Sequence, residues 1–80
     1  MRLVAEFTTE PFDVDEGSPP AHATEALRAA QDAGLECDFG PLGTLVRGEQ
    51  DLLLPAIPAV LKAAFAGGAS QVTLQVRRDA

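Results

Sequence analysis

The groups able to do covalent or metal chemistry in this chain are few: one histidine, His22, and one cysteine, Cys37. An enzyme needs a nucleophile beside a base, a pair of carboxylates or a metal cluster, and a lone imidazole with a lone thiol assembles none of these. A single cysteine excludes an internal disulfide and a cysteine-rich zinc site, and with only one histidine a protein-built transition-metal site is not expected either. His22 falls near the start of a helical segment, where a surface imidazole needs no function. Cys37 alternates inward between Leu35 and Phe39, a place where a thiol serves as a small core filler. The glycines spell neither GxGxxG nor a Walker loop, and no CxxC pair is present for metal transfer. Binding chemistry, with no resident cofactor, is what remains. Its carriers are Glu6, Thr8, Thr44 and Gln75, with Gly43 in the turn next to Thr44.

Those side chains have to be placed by elements, and the pattern supplies six. Arg2 to Thr9 alternates as a strand, with Leu3, Ala5 and Phe7 on the core side and Val4, Glu6 and Thr8 opposite. Pro11 ends it, because proline has no backbone donor, and an acidic loop follows (Asp13, Asp15, Glu16). Ser18-Pro19-Pro20 predicts a helix start, with Ser18 as cap and proline in the first turn. Ala23, Leu27, Ala30 and Ala26 are expected toward the sheet, and Gly34 supplies the left-handed residue that closes the helix. Leu35 to Phe39 reads as a second amphipathic strand. Gly40-Pro41-Leu42-Gly43 reverses the chain, and Thr44 to Arg47 returns as a third strand, with Thr44 and Val46 expected on the side away from the helices.

A second helix runs to about Ala66 and is stopped by Gly67-Gly68. Pro55 and Pro58 complicate its start, since each removes a donor and crowds the preceding turn. The helix either begins at Leu52 with an irregular first turn, capped by Asp51, or begins only at Pro55. Gln71 to Val76 is the last strand, Val72, Leu74 and Val76 inward, followed by a charged tail of Arg77, Arg78 and Asp79. The order β-α-β-β-α-β is the ferredoxin-like α+β plan: a four-stranded antiparallel sheet with two helices on one face and strand order 4-1-3-2. The other face is bare. It should carry Glu6, Thr8, Thr44 and Gln75, either as a solvated or subunit-covered surface or as the wall of a small-ligand pocket between subunits.

Bulk properties narrow the partner. Eighty residues form one domain, 1–80, and a chain of this size buries only roughly 60% of its unfolded surface, so its stability is marginal. With metal and disulfides excluded, a homodimer or homotetramer is the expected remedy. Twelve acidic residues against six basic give a net charge of −6, which repels phosphate backbones and suits a cationic small molecule. Nucleic acid is not an expected partner, and the exposed strand aromatics that RNA binding uses are lacking too. No apolar run reaches the roughly 20 residues of a membrane span, and the N-terminus lacks the layout of a signal peptide. A soluble, cytoplasmic protein is expected.

Three stretches carry a resemblance: Ala5-Glu6-Phe7-Thr8, Gly40-Pro41-Leu42-Gly43-Thr44, and Gly67-Gly68-Ala69-Ser70-Gln71-Val72 leading into Leu74-Gln75-Val76. With their spacing, they are similar to the thiamine-binding protein family, over most of the chain. The resemblance implies a ferredoxin-like fold, dimers or tetramers built through the sheets, binding of thiamine or its hydroxymethylpyrimidine portion, and no enzymatic activity. Many relatives continue past the fourth strand into another helix, whereas this sequence stops at Ala80, and the paired prolines Pro55 and Pro58 depart from the usual smooth second helix. Thiamine carries a permanent cation, whose burial requires a compensating carboxylate. Glu6 is the candidate for it, Thr8, Thr44 and Gln75 the candidates for the pyrimidine, and Phe12 or Phe39 for stacking. The alternatives are a ferredoxin-like oligomerisation or regulatory module with no small-molecule ligand, and a cofactor-free enzyme of the dimeric α+β barrel type.

Overall fold

Leu3, Ala5 and Phe7 are at most 7% exposed, while Glu6 between them faces water. That alternation sets the orientation of the whole sheet. The computed structural model describes residues 1–11, 20–40 and 43–79. Six elements follow one another: β1 (Arg2–Glu10), α1 (Ala21–Asp32), β2 (Glu36–Phe39), β3 (Thr44–Glu49), α2 (Gln50–Ala66) and β4 (Gln71–Arg78). The strands make one antiparallel sheet in the order β2-β3-β1-β4. This is the expected ferredoxin-like order, with both helices on one face. Arg77 and Arg78 belong to β4 rather than to a tail, because β1 continues far enough to pair with them.

The core lies between the sheet and the helices and is built from small side chains. Ala26 and Ala30 of α1 and Ala64 of α2 are fully buried, and Leu53 is the largest side chain that is fully enclosed. Alanine faces let the two helices pack closely on each other. The buried stripe of α1 is His22, Ala26 and Ala30, with Ala23 and Leu27 only half-buried. The stripe is therefore turned relative to the expected one, because α1 has to meet α2 as well as the sheet. Both helices end in the same way. Gly34 (φ +85°) and Gly68 (φ +105°) take the left-handed conformation, and the pairs Gly34 N–H to Gln31 O with Leu35 N–H to Ala30 O, and Gly68 N–H to Phe65 O with Ala69 N–H to Ala64 O, satisfy the last carbonyls.

The start of α2 differs from both expected versions. It begins at Gln50, with Glu49 in the cap position, and continues through Pro55 and Pro58. Both prolines lie on the exposed side of the helix, where the carbonyls of Asp51 and Leu54, left without donors, can turn to water. On the opposite side Leu53, Ala56, Val60 and Ala64 are buried, and that burial outweighs the local cost of the prolines. Asp51 contributes through its charge in the first turn rather than as a cap. For α1 the cap position is Pro20, which makes no side-chain cap; the expected cap Ser18 and the adjoining Pro19 lie outside the described residues. The same holds for Pro41 and Leu42, although the flanks of that turn are set by the pair Phe39–Thr44 and by Gly40 N–H donating to Gly43 O at 2.8 Å.

Candidate functional site

The open face of the sheet can be read row by row from the register. In the middle row Glu6 of the central strand β1 lies between Leu45 of β3 and Gln75 of β4, and Asp38 of β2 lies beyond Leu45. Facing residues on neighbouring strands have Cβ atoms about 5 Å apart, so these four side chains form one continuous strip. Glu6, Asp38 and Gln75 are exposed and Leu45 is half-buried. Among the described residues Glu6 makes no ion pair and no side-chain hydrogen bond. The next row toward the end of β1 holds Thr8 opposite Thr73. Gly43 completes it: a methyl group added there would stand 3.0 Å from Thr8 Cγ2 and 3.2 Å from Phe7 O, so the absence of a side chain keeps this corner clear.

On the other side of the middle row the chemistry changes sign. Val4 lies between Arg47 and Arg77 and is only 1% exposed. Long arginine stems commonly cover apolar surface in this way. Arg2 donates to Glu36 at 2.6 Å, and Asp79 stands 3.9 Å from Arg2 Nε and 3.8 Å from Arg47 Nε. One end of the open face is thus a basic network with its own counter-charges, and the middle row presents the carboxylates of Glu6 and Asp38, which form no ion pair among the described residues.

The structure brings together Glu6, Thr8, Gly43 and Gln75 of the expected set, and it separates Thr44. Thr44 pairs with Phe7, is 3% exposed, and lies on the helix side of the sheet; Val46, opposite Ala5, lies there too. The assignment of both to the bare face is therefore corrected, and Leu45 takes their place. Arg47 carried the signal: a charged residue two positions from Leu45 puts Leu45 on the solvent side, by the period of a strand. Phe39, expected in the core, is 38% exposed at the end of β2 and pairs with Thr44 on the helix side, so it offers no stacking surface to the open face. Phe12 lies outside the described residues.

The two reactive side chains are accounted for. His22 is 5% exposed rather than a surface residue. Its Nε2–H donates to Pro11 O at 3.0 Å, which leaves Nδ1 to accept from the Thr9 hydroxyl at 2.6 Å in the neutral ring. The imidazole fastens the start of α1 to the end of β1. Cys37 is half-buried, and burial pushes its thiol above the ordinary value of 9.0. At about pH 8 the native protein should react with an aromatic disulfide reagent about tenfold more slowly than the urea-unfolded chain; equal rates would place the thiol in open water. The same preference for the protonated thiol contributes stability below pH 9.0 that is lost as pH rises past that value.

Between the sheet and α2 there is a gap of about 10 Å³ lined by Phe7, Val46, Leu53, Val60 and other apolar side chains. That is at most one water molecule of space, and no heterocycle fits it. Among the described residues there is no group of three or more His, Cys, Asp or Glu able to hold a metal, and no helix is long and apolar enough to cross a membrane.

A sequence profile described as thiamine-binding protein matches residues 5–80, which span all of the elements above apart from the first strand residues. The chain belongs to the thiamine-binding protein family. No curated protein sequence matches it. Among solved structures, this family member is similar to a protein of Thermotoga maritima proposed to act in thiamine biosynthesis or salvage (TM-score 0.66, 18% identity, 96% of this chain and 81% of that one). It is also similar to a domain of unknown function from Bacillus cereus (TM-score 0.65, 21% identity, 95% and 72%) and to a protein of Streptococcus pneumoniae (TM-score 0.68, 21% identity, 96% and 83%). At these identities the neighbours carry the fold, and the family match carries the link to thiamine.

Proposed function

We propose that this member of the family is a non-catalytic binder of thiamine or of its hydroxymethylpyrimidine moiety, holding the ligand on the open sheet face where a second copy encloses it. One observation carries the proposal: at the centre of the central strand, on a face without helices, stands the carboxylate of Glu6, which has no side-chain partner among the described residues. A quaternary thiazolium cannot shed its charge, so enclosing it requires an anion at the same place. Glu6 supplies that anion and Asp38 adds to the field. Gln75 and Thr8 offer donors and acceptors to the aminopyrimidine, and Gly43 leaves room for it. Thr44, buried beneath the face, takes no direct part.

Titration calorimetry with thiamine and, separately, with hydroxymethylpyrimidine tests this. Both should bind. Glu6→Gln should weaken thiamine by about 10- to 150-fold, the usual ~1.5–3 kcal/mol of a contact to a charged group, and the neutral pyrimidine by no more than about threefold. Absence of heat with either ligand at millimolar concentration would sink the proposal, and equal losses for both would remove the charge role of Glu6.

A further inference from the structure

Three rows of the open face follow one another along β1, each two residues from the next. Thr8 with Thr73 and Gly43 makes the first, Glu6 with Gln75, Leu45 and Asp38 the second, and Val4 with Arg47 and Arg77 the third. Antiparallel strands rise about 3.4 Å per residue, so neighbouring rows stand about 7 Å apart. Uncharged polar groups, an anion and a pair of cations are met in that order.

The third row is built around Val4. Its side chain belongs to the face without helices and is nevertheless 1% exposed, a burial that the stems of its two cross-strand neighbours, Arg47 and Arg77, account for. With strands about 4.8 Å apart, the two arginines start about 10 Å from each other, and both guanidinium groups can be brought onto one anion above Val4.

The charges of this pair are incompletely used. Arg77 makes no ion pair and no side-chain hydrogen bond among the described residues. The ion pair of Arg47 is with Asp79 at 3.8 Å, and Arg2 shares that carboxylate at 3.9 Å; both distances are beyond a hydrogen bond. Glu6 stands one row away from both arginines and pairs with neither. A carboxylate and two guanidinium groups that lie side by side without neutralising one another match a zwitterion whose cation and anion are separated by the same distance of about 7 Å.

We infer that the third row is a phosphate subsite in which Arg47 and Arg77 clamp a phosphoryl group, and that the ligand of this face is a phosphate ester of thiamine rather than the free alcohol. The inference rests on the proposed placing of the thiazolium at Glu6. From there the three rows take the parts of the ester in their covalent order: the aminopyrimidine at Thr8 and Gly43, the thiazolium at Glu6, and the phosphate, carried on its two-carbon arm, at the arginines. Val4 and the arginine stems give that arm an apolar floor. Guanidinium groups suit the task because their planar donors hold two phosphoryl oxygens at once. The net charge of −6 does not oppose the contact, since exposed charges more than about 8 Å away are largely screened at physiological ionic strength. Glu6, the carboxylate one row away, is neutralised by the thiazolium of the same ligand.

Calorimetric titration with thiamine and with thiamine monophosphate tests the subsite. The monophosphate should bind the wild type about tenfold more tightly than thiamine, a margin that narrows as salt is added. Arg77→Gln changes an exposed residue outside any ion pair among the described residues, so the melting temperature should hold. The variant should lose affinity for the monophosphate by about tenfold and for thiamine by no more than about twofold. Inorganic phosphate alone, followed through backbone amide resonances, should move the signals of Val4, Arg47 and Arg77 and leave those of Thr8 and Thr73 in place. Equal affinity of the wild type for the two thiamine forms, or a margin that survives Arg77→Gln, overturns the inference and leaves thiamine binding standing. If neither form binds, the thiamine reading falls and inorganic phosphate decides the subsite by itself: shifts confined to the third row keep the arginine pair as an anion site, and unmoved signals remove it.

Discussion

Replacing Gly67 by alanine is expected to destabilise the protein by about 3 kcal/mol, the upper part of the range for an overpacked contact. In a chain of this size that corresponds to a fall in melting temperature of about 10–20 °C. Gly67 caps α2 at φ −82°, a conformation open to any residue, so the effect is not one of backbone strain. A Cβ at that position would stand 2.8 Å from His22 Cα, 3.1 Å from His22 N and 3.2 Å from the carbonyl carbon of Ala21. All three are backbone atoms, and no rotamer change can relieve them. The first turn of α1 would have to move away, pulling His22 from Thr9 and Pro11 and loosening the end of β1 that carries Thr8. Gly68→Ala is the control. It has no atom within 4 Å but a φ of +105°, so its cost is conformational, about 1–2 kcal/mol. Thermal or urea unfolding of the two variants checks the order; a Gly67→Ala protein as stable as the wild type would show that the helices do not meet at this point.

The second large effect is on binding. Glu6→Lys should abolish the affinity for thiamine, a loss of more than about 100-fold, because a fixed cation would then face an ammonium in a partly enclosed site. The fold should tolerate it. Glu6 is exposed and makes no ion pair or side-chain hydrogen bond among the described residues, and surface changes of this kind are usually within about 0.5 kcal/mol. The measurement is a pair: ligand titration together with the melting temperature. Loss of binding with an unchanged melting temperature supports the carboxylate as the ligand's counter-ion. Retained binding of thiamine by a folded Glu6→Lys protein would move the site elsewhere. A collapse of stability would instead mean that Glu6 is a structural residue.

Much of this protein was determined locally and could be read from the sequence. Alternation over Leu3, Ala5 and Phe7 sets β1, and Gly34 and Gly67-Gly68 stop the helices, because left-handed closure depends on a residue without a Cβ. The order of elements then leaves few topologies, and the carboxylate of Glu6 has to face away from the core, since its neighbours on both sides are apolar. What the sequence left undetermined depended on partners distant in the chain. Whether Thr44 or Leu45 faces the helices is a matter of one residue of register against Phe7 and Glu6; both residue types tolerate either side, and Arg47, two positions from Leu45, is the one local residue that points to the observed choice. Helix α2 runs through Pro55 and Pro58 because Leu53, Ala56 and Val60 find a core on the other side, a gain that no local propensity contains. His22 became a buried fastener only because the end of β1 and the start of α1 come together over it. Short-range geometry thus fixed the elements, and long-range packing decided which of their faces would meet water and, with that, which side chains a ligand could reach.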